Sequence, residues 1–307
     1  MRSKPLALRP DALTTALRLF PANQGFIPKM TITLSDKAER FQALHNEGCF
    51  VIPNAWDAGS ARILAHLGFA AIATSSSGLA YMLGRRDGQA AVSGAEALSN
   101  AQDILRAVDL PVSADLEDGY GPAPEDCAFA VRRAAEIGLC GCTIEDTTAD
   151  PAAPIHPFDM AVARVKAAVG AAKAAGHPFI LTARAENFLH GRPDLDDTVR
   201  RLVAFAEAGA DCLYAPGLPS MDAVRTVVAA VAPRPVNVLL GPRDQLVPRQ
   251  MLADAGVRRI SVGGALARMA YGRVLAAGQS LMDGDLPGAL RGAPTGASIE
   301  AMMAGYR

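Results

Sequence analysis

From Leu34 onward the chain alternates short apolar runs with helix-length segments, and it completes that alternation eight times. The runs are Cys49–Pro53, Phe69–Thr74, Leu110–Asp115, Cys140–Ile144, Pro178–Ala183, Ala210–Ala215, Pro235–Leu240 and Val257–Val262. Each has the length and composition of a buried strand, and the segments between them carry helix start and stop signals. Pro124 opens one helix and Gly138 stops it; Ser35 is expected to cap the first, which runs to about Asn46. Eight strand–helix repeats match a closed α/β barrel, the (β/α)8 TIM barrel, better than a doubly wound sheet. The Gly-rich first turn of a dinucleotide fold and the phosphate-binding P-loop are both absent from the sequence.

In such a barrel the chemistry sits on the loops after the strands. Asp57, Ser77, Asp115, Glu117, Glu145 and Arg184 all fall at those positions, Ser77 within an expected loop Ser75–Gly78. The densest stretch is Ala114-Asp115-Leu116-Glu117-Asp118-Gly119-Tyr120-Gly121. Asp115 and Glu117, two residues apart, share one face of a strand end. They read either as a solvated acidic turn or as ligands of a hard divalent cation, Mg²⁺ or Mn²⁺, with Glu145 as a third carboxylate. Such a cation would leave room for a 2-oxo or 2-hydroxy acid to chelate through adjacent oxygens. Bond cleavage beside its carbonyl gives an enolate, which the metal and the backbone N–H groups of Ser77-Gly78-Leu79 would stabilise. Arg184 is suited to grip a second carboxylate or a phosphonate, to pair with Glu145 or Glu186, or to do both. Tyr120 and Tyr214 stand at strand ends, as pocket lining or as packing.

Charge is balanced, with 30 Lys and Arg against 31 Asp and Glu, so no global basic field points to nucleic acid or a membrane surface. A small metabolite is the expected partner. The five cysteines, Cys49, Cys127, Cys140, Cys142 and Cys212, are scattered and odd in number, which argues for a reducing compartment such as the cytoplasm. Cys140 and Cys142 share a strand face but lack the partners of a zinc set and read as core. No apolar run approaches the ~20 residues that span a bilayer. Residues 1–30 are basic and irregular and read as a poorly ordered extension; residues 31–278 form the barrel, and residues 279–307 a helical tail. Thr147–Pro157 contains Pro151, Pro154 and Pro157, forms neither helix nor central strand, and sits where a lid would. His156 in it reads as an exposed loop residue or an enolate acid, and His45, His66 and His177 as surface residues.

Asn54-Ala55-Trp56-Asp57, Thr74 to Leu79, Leu83 to Asp87, Ala114 to Gly121, Ile144-Glu145-Asp146 and Ala183 to Glu186 occur in that order. Together they resemble the isocitrate lyase and phosphoenolpyruvate mutase superfamily over about Leu34 to Gly278. The resemblance implies a Mg²⁺-dependent barrel that cleaves or forms C–C or P–C bonds beside an enolpyruvate-like oxyanion. It implies Asp115 as the principal metal carboxylate, with Glu117 and Glu145 holding metal waters. Trp56, Asp57, Ser77, Gly78, Leu79 and Tyr214 fall on the substrate side, Asp87 approaches the reacting centre, and Arg184 binds the departing acidic group. It also implies a homotetramer, or a dimer, in which a C-terminal helical segment crosses onto a neighbouring barrel. The lyase branch carries a Lys-Lys-Cys-Gly-His lid whose cysteine is the acid; here that stretch has no cysteine, and no lysine either. An oxaloacetate decarboxylase, which can protonate its enolate from water, is therefore the leading expectation. Phosphonopyruvate hydrolysis or mutase chemistry, (methyl)isocitrate or dimethylmalate cleavage, a 2-oxo-acid aldolase and a non-catalytic carboxylate-binding barrel are the alternatives.

Overall fold

The computed structural model describes residues 32–240 and 247–304, and every element below belongs to the unit that begins at Thr33. The expected N-terminal extension lies outside the described residues. In chain order the elements are α1 (Leu34–Asn46), β1 (Phe50–Ile52), β2 (Asn54–Ala55), α2 (Ala58–His66), β3 (Ile72–Thr74), α3 (Ser76–Met82), α4 (Gly94–Ala107) and β4 (Val112–Asp115). There follow α5 (Pro124–Glu136), β5 (Gly141–Glu145), α6 (Phe158–Lys173), β6 (Ile180–Arg184), α7 (Leu195–Ala208), β7 (Cys212–Tyr214) and α8 (Met221–Val231). The chain continues with β8 (Val236–Leu239), α9 (Arg249–Asp254), β9 (Arg259–Ser261), α10 (Ala265–Met282), α11 (Leu286–Ala289) and α12 (Gly296–Met303).

All strands pair in parallel, in the order β1-β9-β8-β7-β6-β5-β4-β3-β2. The nine strands are the eight expected staves with the first one broken at Pro53. β1 pairs with β9, β2 pairs with β3, and the Pro53 carbonyl between them accepts from the Ala73 N–H at 2.9 Å. Proline lacks the ladder donor, so the label breaks there while the ring of hydrogen bonds continues through its carbonyl. Parallel strands covered by helices read as continuous apolar runs, which is why the staves were visible.

Helix boundaries follow local capping. Thr33, not Ser35, caps α1: Thr33 Oγ1 accepts from the Asp36 N–H and Asp36 returns the bond to the Thr33 N–H at 2.8 Å. Ser75–Gly78, expected as loop, is the capped start of α3, with Ser75 Oγ accepting from Gly78 N–H at 3.1 Å. α1 places Ala38 and Phe41 against Ile52 of β1 and against Ala71, Cys140, Ile180 and Cys212, which lie at or just before their strand starts, and so plugs the amino-terminal end of the barrel. The opposite end is left for chemistry. All five cysteines are buried thiols, as expected of core residues. α10 runs on to Met282, a turn beyond the expected barrel boundary, and no helix among the described residues is long and apolar enough to cross a membrane.

Candidate active site

Parallel register brings the chemistry together at the carboxyl ends of β4, β5 and β6. Asp115 pairs with Thr143, and Glu145 lies directly beside Arg184. Arg184 Nη1 is 3.1 Å from Asp115 Oδ1 and 3.0 Å from Glu145 Oε2, and its Nε donates to Glu186 Oε1 at 2.7 Å. Both ion-pair readings of Arg184 therefore hold, and a third carboxylate joins them. Burial alone would lower the Arg184 value, but Glu145, Glu186 and Asp115 hold it well above the ordinary arginine range.

Asp115 is fixed by four donors besides its burial. Ser76 gives its N–H (3.1 Å) and hydroxyl (2.8 Å) to Oδ2, while Thr143 Oγ1 and Arg184 each reach Oδ1 at 3.1 Å. Burial opposes its ionisation, yet Arg184 and Ser76 keep the carboxyl below its usual value. Glu117 has the opposite fate. Burial, then the charges of Asp115, Glu145 and Asp87, push it up to about 8. It sits in a left-handed backbone conformation (φ 46°), as does Tyr120 (φ 62°), in a loop where Gly119 (φ 83°) lies against the Cys127 backbone. Arg164, buried on α6, clamps that loop by donating to the carbonyls of Asp118, Gly121 and Ala123, the last two at 2.7 and 3.2 Å.

Of these groups Ser76, Asp115, Thr143 and Arg184 line a cavity of about 240 Å³, together with Ser75, Ser77, Asp87, Tyr214, Asn237, Ser261 and Arg268, among others. That is below the ~300 Å³ at which drug-sized pockets begin and suits a small acid. Tyr214 lines it with its ring under the Arg184 guanidinium, 5.0 Å from Cζ to the centroid. Asp87 stands at the mouth, pushed up by partial burial and then by Asp115.

Four expected contacts are arranged differently. The Asp57 carboxylate caps α2, accepting from Ser60 N–H at 2.6 Å, and does not line the cavity. Trp56 stands behind the wall instead, where a side chain on Gly78 would come within 2.8 Å of its Cβ. The N–H groups of Gly78 and Leu79 are both taken by Ser75, through Oγ (3.1 Å) and O (2.9 Å), because they form the first turn of α3. Ser76 likewise gives its N–H and hydroxyl to Asp115, and Ser77 Oγ stands 3.1 Å from Ser75 Oγ; both serines line the cavity. His156, expected as an exposed loop residue or an enolate acid, is buried because Thr147–Pro157 folds back as a hairpin: Thr147 bridges Ile155, and the His156 N–H reaches Asp146 O at 2.8 Å. His45 is buried as well, its ring edge-on to Phe41 and Phe50.

Ser76, Thr143, Arg164, Asn237 and Arg259 escaped the sequence reading. Thr143 alone carried a signal, since it shares a strand face with Glu145.

The carboxylates fit a hard divalent cation in chemistry, because Asp87, Asp115, Glu117 and Glu145 face one another and Glu117 holds a raised value for want of a counter-charge. In this arrangement Arg184 joins Asp115 to Glu145, and among the described residues no three His, Cys, Asp or Glu side chains stand together at metal distance. Loading would require Arg184 to release one of them. Without metal, the folded protein keeps a proton on Glu117 between the ordinary value of 4.5 and about 8 that the unfolded chain gives up. Stability in EDTA is therefore expected to fall as pH rises through that window, and Glu117→Gln to flatten the slope. Thermal melts at either end check this; equal slopes in both proteins would remove Glu117 as the source.

The sequence pattern of the family described as phosphoenolpyruvate phosphomutase matches residues 41–282. The chain belongs to the phosphoenolpyruvate mutase family, within the isocitrate lyase/PEP mutase superfamily. A solved Burkholderia cenocepacia J2315 protein of lyase/mutase designation shares 47% identity and superposes with a TM-score of 0.85, over 88% of this chain and 96% of that one. Sequence relatives include the probable 2-methylisocitrate lyase 2 of Corynebacterium glutamicum, 29% identical over 73% of each chain. The oxaloacetate decarboxylase of Paraburkholderia xenovorans is also 29% identical, over 72% of this chain and 74% of that one. Family members of this kind are lyases and mutases of small carboxylates, and the barrel of this PEP mutase family protein is the expected (β/α)8 fold.

Proposed function

We propose that this PEP mutase family protein is a Mg²⁺-dependent lyase that decarboxylates oxaloacetate or a closely similar 2-oxo diacid. The observation that carries the reading is the convergence of Asp115 and Arg184 on a small cavity, with Glu145 and Glu117 beside them, in a chain whose Thr147–Pro157 stretch lacks the cysteine acid of the lyase branch. Thr147–Pro157 contains neither cysteine nor lysine, and every cysteine of the chain is buried. Thr147 Oγ1 donates to Glu145 Oε1 at 2.8 Å and Thr148 Oγ1 to Ala153 O at 2.6 Å, so neither lid hydroxyl is turned toward a phosphoryl group. That arrangement favours carboxylate loss over P–C chemistry.

Asp115 would hold the cation, or Mn²⁺ in its place, with Glu117 and Glu145 on its waters; the ion supplies a Lewis acid for the 2-oxo oxygen. The chain's own residues do the rest. Ser76 and Thr143 keep Asp115 in place, Arg184 faces the departing carboxylate, and Ser77 with the start of α3 borders the enolate oxygen. As the C3–C4 bond breaks, its electron pair moves to form the enolate and CO2 leaves; a proton from water then converts the enolate to pyruvate. Met269, Val274, Leu275, Met282 and Leu290 leave an apolar surface on α10 and the tail, which supports exchange of that segment between subunits of a cytoplasmic homotetramer.

Proton and phosphorus NMR of oxaloacetate, phosphonopyruvate, methylisocitrate and a branched malate, each with Mg²⁺ and with EDTA, tests the assignment. Pyruvate from oxaloacetate alone is the expected product. Phosphate from phosphonopyruvate, or succinate from methylisocitrate, as the faster product would replace it.

A further inference from the structure

Arg259 begins β9 inside the barrel, is 3% exposed, and has no carboxylate within ion-pair distance among the described residues. A buried cation without a counter-charge costs several kcal/mol unless its donors are met. All its acceptors are neutral: Asn237 Oδ1 at 2.9 Å from Nε, Thr182 Oγ1 at 2.9 Å from Nη2, and His45 Nε2 at 3.3 Å from Nη1. His45 can only accept there, because its Nδ1 must donate to the Phe41 carbonyl at 2.8 Å; burial, then Arg259, push it down to about 3, so it stays neutral.

Guanidinium has donors and no acceptors, so the Asn237 oxygen must face Arg259. The amide nitrogen then points the other way and donates to Ser261 Oγ at 2.9 Å. Tyr214, whose ring supports Arg184, stands on the same cavity wall. Asn237, Ser261, Tyr214 and Arg259 all line the cavity.

We propose that Arg259 is a positioning residue: it fixes the sense of the Asn237 amide and its bond to Ser261, so that the cavity wall along β8 and β9 presents N–H donors and selects a substrate with a carbonyl or carboxylate oxygen there. Selection against a 2-amino analogue at this wall follows, because an ammonium there would meet the Asn237 NH2 and the Arg259 guanidinium, which donate and cannot accept. The substrate half of this statement rests on the lyase reading above; the amide orientation does not.

Two measurements separate them. In ¹⁵N NMR the Asn237 side-chain NH2, assigned with Asn237→Ala, is expected to be protected from exchange in the wild type and to lose protection in Arg259→Met, with Arg259→Lys intermediate. Unchanged protection in a folded Arg259→Met or Arg259→Lys protein overturns the inference whatever the reaction is. In oxaloacetate turnover, Arg259→Met is expected to raise KM about tenfold with a small change in kcat, and to change it less than about twofold when Asn237 is already alanine. Equal effects in both backgrounds would show that Arg259 does not act through Asn237. A protected amide with no oxaloacetate turnover in any variant would uphold the positioning and discard the substrate.

Discussion

Replacing Arg184 with methionine is expected to lower the melting temperature on the order of 10 °C, because it leaves Asp115, Glu145 and Glu186 facing one another without their shared cation. Breaking a buried ion pair by removing one partner costs about 3–5 kcal/mol, and here three pairs converge on one guanidinium at 3.1, 3.0 and 2.7 Å. The loss should be pH-dependent. In the wild type Asp115 is held below its ordinary value, so its contribution is present above that value and disappears as pH falls. The deficit of Arg184→Met is therefore expected to narrow on acidification, and thermal melts from neutral pH downward would show it. A deficit independent of pH would mean that Arg184 acts by packing on Tyr214 and not by charge. On the proposed reading the same variant should also bind diacids weakly, since it lacks the guanidinium assigned to the second carboxylate.

Asp115→Ala is expected to abolish catalysis while leaving the barrel folded. Its carboxylate stands at a strand end, and the donors it loses, Ser76, Thr143 and Arg184, border the cavity. Merely disturbing the outer partners of metal ligands weakens binding about 10–100-fold, so removing the carboxylate itself should weaken Mg²⁺ by at least about 100-fold. Calorimetry reads that directly. Wild-type affinity in Asp115→Ala would move the cation to Glu117 and Glu145 and dismantle the proposed site.

The barrel was readable because each stave is buried on both faces and so appears as an uninterrupted apolar run, and because the parallel connections force helices between them. Pro53 hid only the split of the first stave. The carboxylate set was readable for a related reason, since a strand's carboxyl end is a fixed place in this fold and Asp115, Glu145 and Arg184 occupy it in adjacent staves. What escaped depends on partners distant in sequence. His45 looked like a surface residue on a polar helix turn, and only the fold reveals Arg259 beside it. Arg259 itself lay inside an apolar run, Val257–Val262, where the strand pattern outweighed its charge. Asp57 and Gly78 were harder to place: both follow strands, but a serine or aspartate there can equally cap the next helix, and those local bonds take up the Asp57 carboxylate and the Gly78 N–H, while Ser75, Ser76 and Ser77 line the cavity.

The most direct test of metal-assisted carboxylate loss is the initial rate of pyruvate formation from oxaloacetate as a function of Mg²⁺ concentration, with Asp115→Ala as the blank for decarboxylation by the ion in solution. The wild type should show a saturable Mg²⁺-dependent rate well above that blank, abolished by EDTA and restored by Mg²⁺ or Mn²⁺. A wild-type rate that follows the blank at every Mg²⁺ concentration would contradict the assignment.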